Sequence, residues 1–319
     1  MLKDDLRNKR ILITGITGFV GKALSNRLKS SGAIVYGISR SVNNDTRNLN
    51  ADILDYPQIN KFIKDSKIDI CFHLASASLV EEGQLHPYQT FKVNTEGTLN
   101  ILESARINNL EKVIIASTSH VYGKNKVPYL ESYTPRPTRP YETSKACTDI
   151  IAQSYATSFN LPVLIPRFVN IYGPGDLNFQ RLIPKTIKSV FENSEPKMWG
   201  GQAVRDYLFI DDAIEAYLLL AQISESKVFE NRVFNFGSSN LISVEDLIKK
   251  IIMISGKDLK IKKVNDKREG EIEAQYVSSI KARKLLKWKP KFDLEEGLMF
   301  TIDWYKKNSV QSIKSNIQK

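Results

Sequence analysis

A glycine-rich turn near the N-terminus constrains the fold of this chain more than any other segment. Arg10-Ile-Leu-Ile-Thr14 is a short apolar run typical of a buried strand, and Gly15-Ile-Thr-Gly-Phe-Val-Gly21 follows it at once, before a helical pattern at 22–31. An ordinary glycine-rich loop is the alternative, but the strand and helix on either side favour a dinucleotide-binding fingerprint. In such a site the glycines allow a tight turn and a close approach of a pyrophosphate, which the helix N-terminus faces.

The end of the second predicted strand bears on which dinucleotide is bound. This strand covers 33–38 and is followed by Ser39 and Arg40, at a place where an NAD site usually carries Asp or Glu for the ribose hydroxyls. Arginine can pair with a 2′-phosphate, and Ser39 can add a hydrogen bond. The sequence therefore favours NADP over NAD. In the alternative, Arg40 is a surface residue and NAD is held in another way.

A tyrosine and a lysine four residues apart supply candidate chemistry. Pro140 suits the first position of a helix, and Tyr141 and Lys145 then lie on one face, one turn from each other. A phenol keeps its proton up to about pH 10, and a neighbouring ammonium lowers that pKa and makes proton abstraction from an alcohol feasible. Most Tyr-x-x-x-Lys pairs are solvated, so this pair indicates a catalytic site only if a nicotinamide cofactor binds nearby.

Strand-like and helix-like segments alternate through the first two thirds of the chain, which predicts an α/β fold with a Rossmann-type doubly wound parallel sheet. Strands are also predicted at 69–74, 112–116 and 162–168, and helices at 57–65, 87–108 and 140–158. Return strands at 205–210 and 232–236 are expected to rejoin the sheet. The predicted domains are 1–173 plus 202–236 for the dinucleotide and 174–201 plus 237–319 for a smaller, discontinuous α/β substrate lobe.

Size and charge favour an enzyme with an anionic small substrate. The 319 residues carry a net charge of +11, from 46 basic and 35 acidic residues, but the lysines are dispersed, which favours a solvated surface over nucleic-acid binding. Cys71 and Cys147 are expected to be reduced thiols, and no metal site is predicted. No apolar stretch approaches the roughly 20 residues of a membrane span, and the charged N-terminus lacks a signal peptide, so we expect a cytoplasmic protein.

Several motifs, taken together in this order, resemble the extended short-chain dehydrogenases of the NAD-dependent epimerase/dehydratase family that act on nucleotide sugars. They are Thr14–Gly21, His73–Ser76, Val93-Asn94, Ser117–Gly123, Tyr141-x-x-x-Lys145 and Arg205–Tyr207. The tail from 268 to 297 also looks like the ending of that family. Within the family, Pro174–Phe179 and the following Leu-Ile-Pro184 look most like CDP-glucose 4,6-dehydratase.

The resemblance implies a role for each matching residue. Tyr141 would take the proton of the sugar hydroxyl, Lys145 would hold the nicotinamide ribose, and Thr118 would hydrogen-bond the reacting hydroxyl. The residues implied in cofactor binding, besides Tyr141 and Lys145, are Gly15, Thr17, Gly18, Phe19, Val20, Ser39, Arg40, Asp52, Ile53, Leu74, Ala75, Ser76 and Asn94.

A nucleotide-diphosphate sugar is the substrate that the resemblance implies. Asn170, Arg205 and Arg268 match positions that contact the substrate diphosphate, and a guanidinium fork suits phosphate oxygens. The alternative for the two arginines is a structural ion pair with Asp206 or Glu271. The helices predicted at 87–108 and 140–158 pair with their copies in the family, so a homodimer is expected.

One departure from the family affects the expected reaction. In the 4,6-dehydratases the threonine is followed by Asp and then Glu or Lys, whereas here Ser119 and His120 follow Thr118. Serine cannot act as a carboxylic acid, and His120 either replaces the missing acid/base or only lines the pocket. We therefore expect an epimerase or 4-keto-sugar oxidoreductase acting at C4 of an NDP-hexose. A 4,6-dehydratase of CDP-glucose or GDP-mannose type, and a non-catalytic NADP-binding regulator, are the alternatives.

Overall fold

The computed structural model describes residues 5–224, 231–264 and 272–308. Its first strand, β1 (Arg10–Thr14), runs directly into the glycine turn and helix α1 (Phe19–Ser30), as the sequence predicts. Gly15 has a positive φ of 70°, which favours glycine. A Cβ at Gly21 would overlap the Gly15 carbonyl oxygen. Only glycine at position 21 therefore allows the helix to start so close to the strand.

The remaining strands are short. In chain order they are β2 (Ile34–Ile38), β3 (Asn48–Leu49), β4 (Ile70–His73), β5 (Lys112–Ile115), β6 (Ser117–Thr118), β7 (Val163–Phe168), β8 (Asn170–Tyr172), β9 (Lys197–Trp199), β10 (Val204–Phe209), β11 (Val233–Phe236), β12 (Leu241–Ser243), β13 (Lys262–Val264) and β14 (Ala274–Gln275).

Helices follow most of the strands. Beyond α1 they are α2 (Tyr56–Ser66), α3 (Val80–Leu85), α4 (Pro87–Phe91), α5 (Gly97–Ile107), α6 (Pro140–Ser158), α7 (Leu182–Phe191), α8 (Ile210–Ala221), α9 (Val244–Ile254), α10 (Ile280–Leu286) and α11 (Leu294–Lys307). The predicted helix at 140–158 is confirmed at both ends, with its proline in the first turn. None of the helices within 5–224, 231–264 and 272–308 is both long and apolar enough to cross a bilayer.

The main sheet is parallel and doubly wound, which confirms the predicted fold class. It has eight strands in the order β11-β7-β5-β4-β1-β2-β3, with β6 also paired to β7. Strand order reverses between β1 and β4, because the chain builds outward through β2 and β3 and then returns to the other side of β1. Residues of β4 alternate between two hydrophobic cores, with Cys71 in one and Phe72 in the other, so both faces of the sheet are covered.

Two of the predicted elements differ from the structure. The strand predicted at 205–210 exists as β10 but does not rejoin the main sheet. It pairs with β8, β12 and β14 in a separate four-stranded sheet, because β11 already occupies the free edge of β7. The single helix predicted at 87–108 is instead interrupted by a π-helical turn at Lys92–Glu96 between α4 and α5. The strand predicted at 232–236 does join the main sheet, as β11.

Candidate active site

A cleft of about 820 Å³ lies at the carboxyl ends of the parallel strands. Its floor is formed by the residues that follow β1, β2 and β4, beside the point where strand order reverses. In open α/β sheets ligands bind at this place, since adjacent connections leave in opposite directions and open a crevice. The fold therefore provides a binding site where the sequence predicts one.

The glycine-rich half of the cleft collects twelve of the residues predicted to bind the cofactor. They are Gly15, Thr17, Gly18, Phe19, Val20, Ser39, Arg40, Asp52, Ile53, Leu74, Ala75 and Ser76. The backbone of the glycine turn comes so close to the loop after β4 that a Cβ on Gly15 would lie 3.0 Å from the Ala75 nitrogen. The N-terminus of α1 faces this half of the cleft, and its unpaired N–H groups suit a phosphate group.

Three hydroxyl groups cluster at the end of β2, the position from which the sequence predicts the dinucleotide preference. The Thr17 Oγ1 lies 2.7 Å from the Ser39 Oγ and 3.0 Å from the Ser41 Oγ. The Arg40 side chain is 80% exposed, and its guanidinium is 4.0 Å from the Asp52 carboxylate. Polar donors and one guanidinium therefore surround the position at which an NAD site usually presents an acidic side chain.

Asn94 does not lie on the cleft wall, although the sequence predicts it to bind the cofactor. It is buried in the π-helical turn, where its side chain accepts from the Ala77 N–H at 2.8 Å and donates to the Ala77 carbonyl at 3.0 Å. It also donates to the Ser144 Oγ at 2.8 Å. The Asn94 amide therefore holds the loop after β4 against α6 and supports the cleft wall without lining it.

Tyr141, Lys145 and Thr118 come together on the cleft wall, on elements that the fold fixes firmly. Tyr141 and Lys145 lie on the first turns of α6, and Thr118 ends β6. The Thr118 side chain lies close enough to Tyr141 to lower the pKa of its phenol. Lys145 is 6% exposed. A phenol, a hydroxyl and an amine therefore face one reaction space next to the glycine-rich half.

The pKa values of these groups correct one expectation. Burial raises the pKa of Tyr141 to about 12, and the Glu142 charge adds to this, while the Arg181 charge and the Thr118 hydrogen bond lower it. Lys145 therefore does not bring the phenol's pKa down in the protein alone. Burial instead lowers the pKa of Lys145 itself to about 8, against the opposing charge of Asp149. Without further positive charge in the cleft, Tyr141 holds its proton at neutral pH.

His120 and Ser119 have different positions, although they are neighbours in sequence. His120 lines the cleft with its ring edge-on to Tyr141, at 6.4 Å between ring centres, and its Nδ1 is 3.4 Å from the Glu142 Oε1. Burial raises the pKa of Glu142, but the hydrogen bond and charge of His120 outweigh it, so that this pKa is lowered. Ser119 is 3% exposed and does not line the cleft.

A buried ion pair lies behind the catalytic wall. The Arg167 guanidinium, at 2% exposure, donates to both oxygens of Asp149 at 2.8 and 2.9 Å. Asp149 also accepts from the Ser117 hydroxyl at 3.0 Å, and Arg167 donates to the Tyr122 oxygen at 2.8 Å. The pair thus ties α6 to β6, which ends at Thr118, and to β7, the strand with which β6 pairs. The sequence prediction did not include either residue.

The other half of the cleft is basic. Asn170 and Arg205 line it, as predicted, while Arg268 lies outside the described residues. Three further cations line the same half, namely Arg181, Lys185 and Lys197. Arg181 pairs with the buried carboxylate of Asp176 at 3.3 Å. The sequence prediction missed these three cations; for Arg181 and Lys185 the available signal was the basic start of the helical pattern after the Gly-Pro-Gly turn, whereas Lys197 lies on β9.

Comparisons with known proteins agree with this architecture. A family model described as the NAD dependent epimerase/dehydratase family matches residues 11–237. The dTDP-D-glucose 4,6-dehydratase of Mus musculus is 32% identical over 273 residues, which cover 82% of this chain and 74% of that protein. The UDP-glucuronate 4-epimerase of Thermodesulfobacterium geofontis is 27% identical over 329 aligned positions, covering 95% and 98%. The crystal structure of UDP-glucose 4-epimerase from Thermotoga maritima with UDP-glucose superposes with a TM-score of 0.87, at 28% identity and with 94% and 99% coverage.

Fold, cleft and comparisons together define the class of this protein as a Rossmann-type NAD-dependent enzyme. The chain belongs to the NAD dependent epimerase/dehydratase family. Its relatives include both 4-epimerases and 4,6-dehydratases of nucleotide sugars. Family membership makes the chain an enzyme, so the alternative of a non-catalytic cofactor-binding regulator is not retained.

Proposed function

We propose that this protein oxidises or reduces C4 of an NDP-hexose by hydride transfer, as a 4-epimerase or 4-keto-sugar oxidoreductase. The observation that carries the proposal is that Thr118, Tyr141 and Lys145 line the same cleft as the glycine-rich loop, with Lys145 one turn further along α6 than Tyr141. This arrangement supports a proton-transfer group beside the proposed dinucleotide site. The relatives named above act on the same substrate class.

Each side chain has a distinct part in the proposed reaction. A dinucleotide held by the glycine-rich loop would supply the hydride acceptor, and its positive charge would oppose the burial that raises the Tyr141 pKa. Tyr141 takes the proton of the sugar hydroxyl during oxidation and returns it during reduction. Thr118 hydrogen-bonds the oxygen that gains charge, and Lys145 adds positive charge on the cofactor side. Residues 118, 141 and 145 thus have the groups that proton transfer and charge stabilisation require during hydride transfer at one carbon.

The basic half of the cleft supports a diphosphate as the anchor of the substrate. Arg205, Arg181, Lys185 and Lys197 line it together with Asn170. Guanidinium and ammonium groups are strong partners for phosphate oxygens. The small sheet of β8, β10, β12 and β14 contributes Asn170 and Arg205, although both positions fall within the ranges predicted for the dinucleotide domain.

The test is incubation with NAD⁺ or NADP⁺ and a set of UDP-, dTDP-, CDP- and GDP-hexoses, followed by NMR of the products. We expect a C4 epimer or a 4-keto sugar from the wild type and none from Tyr141→Phe. Tyr88→Phe is the matched control, because Tyr88 is 77% exposed and lies outside the cleft. Equal products from wild type and Tyr141→Phe would refute the proposed chemistry.

A second candidate is 4,6-dehydration, which the contact between His120 and Glu142 favours. An imidazole that faces the cleft beside Tyr141 and is backed by a carboxylate can remove a proton from the carbon next to a C4 ketone. In deuterium oxide a dehydratase would give a 6-deoxy-4-keto sugar containing deuterium, and His120→Asn would abolish it. His86→Asn is the control, since His86 is exposed. Products without ring-carbon deuterium would exclude this candidate.

NADP is the proposed cofactor, supported by Arg40 and the hydroxyl cluster of Thr17, Ser39 and Ser41. A 2′-phosphate would meet a guanidinium and several hydroxyl donors there, without a carboxylate directly after β2. Calorimetry should give tighter binding of NADP⁺ than of NAD⁺, and Arg40→Ala should weaken only NADP⁺ binding. Arg47→Ala, on the exposed loop that follows, is the control. Equal affinity of the wild type for both dinucleotides would refute the preference.

A homodimer formed through α3 to α6 is the proposed assembly. Large apolar side chains are exposed along this face, namely Leu85, Tyr88, Leu99, Ile107, Ile150 and Phe159. Light scattering should give twice the chain mass for the wild type and the chain mass for Tyr88→Glu. The control variant Met253→Glu, at a position on α9 that is 62% exposed, should remain dimeric. A monomeric wild type would refute the proposal.

A further inference from the structure

One buried histidine bridges two elements beneath the cleft. His73 ends β4 at 2% exposure, and its Nδ1 lies 2.8 Å from the Thr14 Oγ1, at the end of β1. Its Nε2 lies 3.1 Å from the Thr98 Oγ1 on α5, where Thr98 is 1% exposed. The imidazole therefore connects the end of β1, where the glycine-rich turn begins, to α5, which packs on the face of the sheet opposite α1. The hydride-transfer chemistry proposed above does not use it.

The hydrogen bonds around Thr14 determine the tautomer of His73. The Thr14 Oγ1 already accepts the N–H groups of Leu74 at 3.2 Å and Ala75 at 3.1 Å. A hydroxyl oxygen has two acceptor positions and one hydrogen, so Thr14 can only donate to His73. The His73 Nδ1 is therefore the acceptor, and its proton must be on Nε2.

The same reasoning continues on the other side of the ring. The Nε2–H donates to the Thr98 Oγ1, and the Thr98 hydroxyl donates its own hydrogen to the Asn94 carbonyl at 2.7 Å. Asn94 donates to the Ser144 Oγ, which donates to the Tyr141 carbonyl at 2.7 Å. Donors and acceptors are thus matched at every step from the glycine-rich loop to the backbone of the catalytic tyrosine.

We propose that His73 is a positioning residue that holds the dinucleotide loop and the Tyr141 helix in register, as a neutral imidazole protonated on Nε2. Each of its nitrogens has one hydroxyl partner, and each partner lies on a different element. Loss of either contact leaves a buried polar group without a partner, which a small shift of the loop or of α5 would relieve. Such a shift separates the cofactor site from the catalytic tyrosine.

Burial supports the neutral form. Removal from water, and then the charge of Lys145, lower the pKa of His73 to about 3, so the ring is uncharged throughout the range in which the protein would work. A protonated ring would place a second donor against the Thr14 oxygen, whose acceptor positions are already filled. The hydrogen-bond pattern and the lowered pKa therefore both exclude the protonated form of His73.

The first test is NMR of the protein with nitrogen-15-labelled histidine. The signals of His86 and His120 are identified by their loss in His86→Asn and His120→Asn, which leaves His73. We expect His73 to remain neutral and protonated on Nε2 from about pH 5 to about pH 8. A ring protonated on Nδ1, or one that titrates in this range, would overturn the proposal. This measurement needs neither cofactor nor substrate.

The second test compares three threonine variants by calorimetry with NADP⁺ and NAD⁺. Thr98→Val removes the acceptor of His73 with little change in shape, and Thr98→Ser keeps it. Thr95→Val is the matched control, because the Thr95 hydroxyl donates only to the Phe91 carbonyl of its own helical segment. We expect Thr98→Val to weaken dinucleotide binding by about fivefold or more, because the loss of one ordinary hydrogen bond has an effect of this size. Thr98→Ser and Thr95→Val should bind the dinucleotide within about twofold of the wild type.

The outcomes separate this proposal from the proposed function. Equal weakening by Thr98→Val and Thr95→Val would mean that Thr98 only stabilises the fold, and would overturn the positioning role. A wild type that binds neither dinucleotide would refute the proposed function, while the tautomer measurement would still decide the role of His73. The NMR spectrum of Thr98→Val should also change at His73, since its Nε2–H loses its partner.

Discussion

Replacement of Lys145 by methionine should stabilise the fold while it removes function. Lys145 is 6% exposed, and burial lowers its pKa from 10.5 to about 8 despite the nearby Asp149 charge. At about 1.4 kcal/mol for each pH unit, this difference means that the charged form costs the folded state about 3 kcal/mol. A methionine side chain at this position would fill a similar volume without a charge. We therefore expect the free energy of unfolding of Lys145→Met to exceed that of the wild type by about 2–3 kcal/mol near pH 7.

The pH dependence of this gain gives the sharper test. Below pH 8 the lysine is charged in both the folded and the unfolded states, so its full cost is present. Between pH 8 and 10.5 the folded state releases the proton while the unfolded state still holds it, so the unfolded state binds more protons and wild-type stability rises with pH. The advantage of Lys145→Met should therefore shrink through this window and be nearly absent above pH 10.5.

Urea unfolding followed by circular dichroism, at several pH values from about 7 to about 10.5, measures the effect directly. Lys64→Met, at an exposed position in the last turn of α2, is the matched control and should change stability by less than about 0.5 kcal/mol. A Lys145→Met variant less stable than the wild type at neutral pH, or a gain that does not vary with pH, would refute the reasoning. The same variant should bind dinucleotide more weakly in calorimetry.

Three further predictions concern the other parts of the site. Tyr141→Phe should lower the rate of nicotinamide reduction by about 10²–10⁴-fold, measured by absorbance, while dinucleotide binding stays within about twofold of the wild type. Gly21→Ala should abolish dinucleotide binding in calorimetry, because the new Cβ would overlap the Gly15 carbonyl oxygen; unchanged binding would contradict the geometry of the turn. Asp149→Ala should lower the free energy of unfolding in urea by about 3–5 kcal/mol, because it leaves the buried Arg167 guanidinium without its carboxylate. A loss below about 1 kcal/mol would show that water reaches the arginine.

Local patterns in the sequence account for much of the fold. The apolar run before Gly15 and the helix after it form a strand–turn–helix unit whose requirements are met within a short stretch of chain, so β1 and α1 were predictable. The helix from Pro140 to Ser158 was predictable at both ends, since its first proline and its length are local signals. The parallel, doubly wound class of the sheet followed from the alternation of strands with helices.

Elements governed by distant contacts were not predictable. The break between α4 and α5 depends on Asn94, which hydrogen-bonds the Ala77 backbone in another loop. The spacing of apolar residues along the helix does not indicate that contact. Strand β10 has the composition of a main-sheet strand, but which sheet it joins depends on the edge that β11 occupies.

In the cleft, the sequence motifs led to the glycine loop and to Tyr141, whereas Arg181, Lys185 and Lys197 reach it only through the fold. Residues of one sequence motif also differ in whether they line the cleft or are buried behind it. Thr118 and His120 line the cleft, yet Ser119 between them is buried, because a short helical turn directs the three side chains differently. Burial of this kind depends on tertiary packing, which a single sequence does not display.

The junction of β10 and α8 limits how the two halves of the molecule can move. Phe209 ends the strand and Ile210 begins the helix, so no connecting loop lies between the small sheet that carries Arg205 and the helix that packs against α1. A hinge needs a few residues that can change φ and ψ, and the direct junction of β10 and α8 contains no such connecting residues. We therefore expect any opening for a ligand to come from the longer connections at the rim of the cleft, such as 74–79 and 173–181.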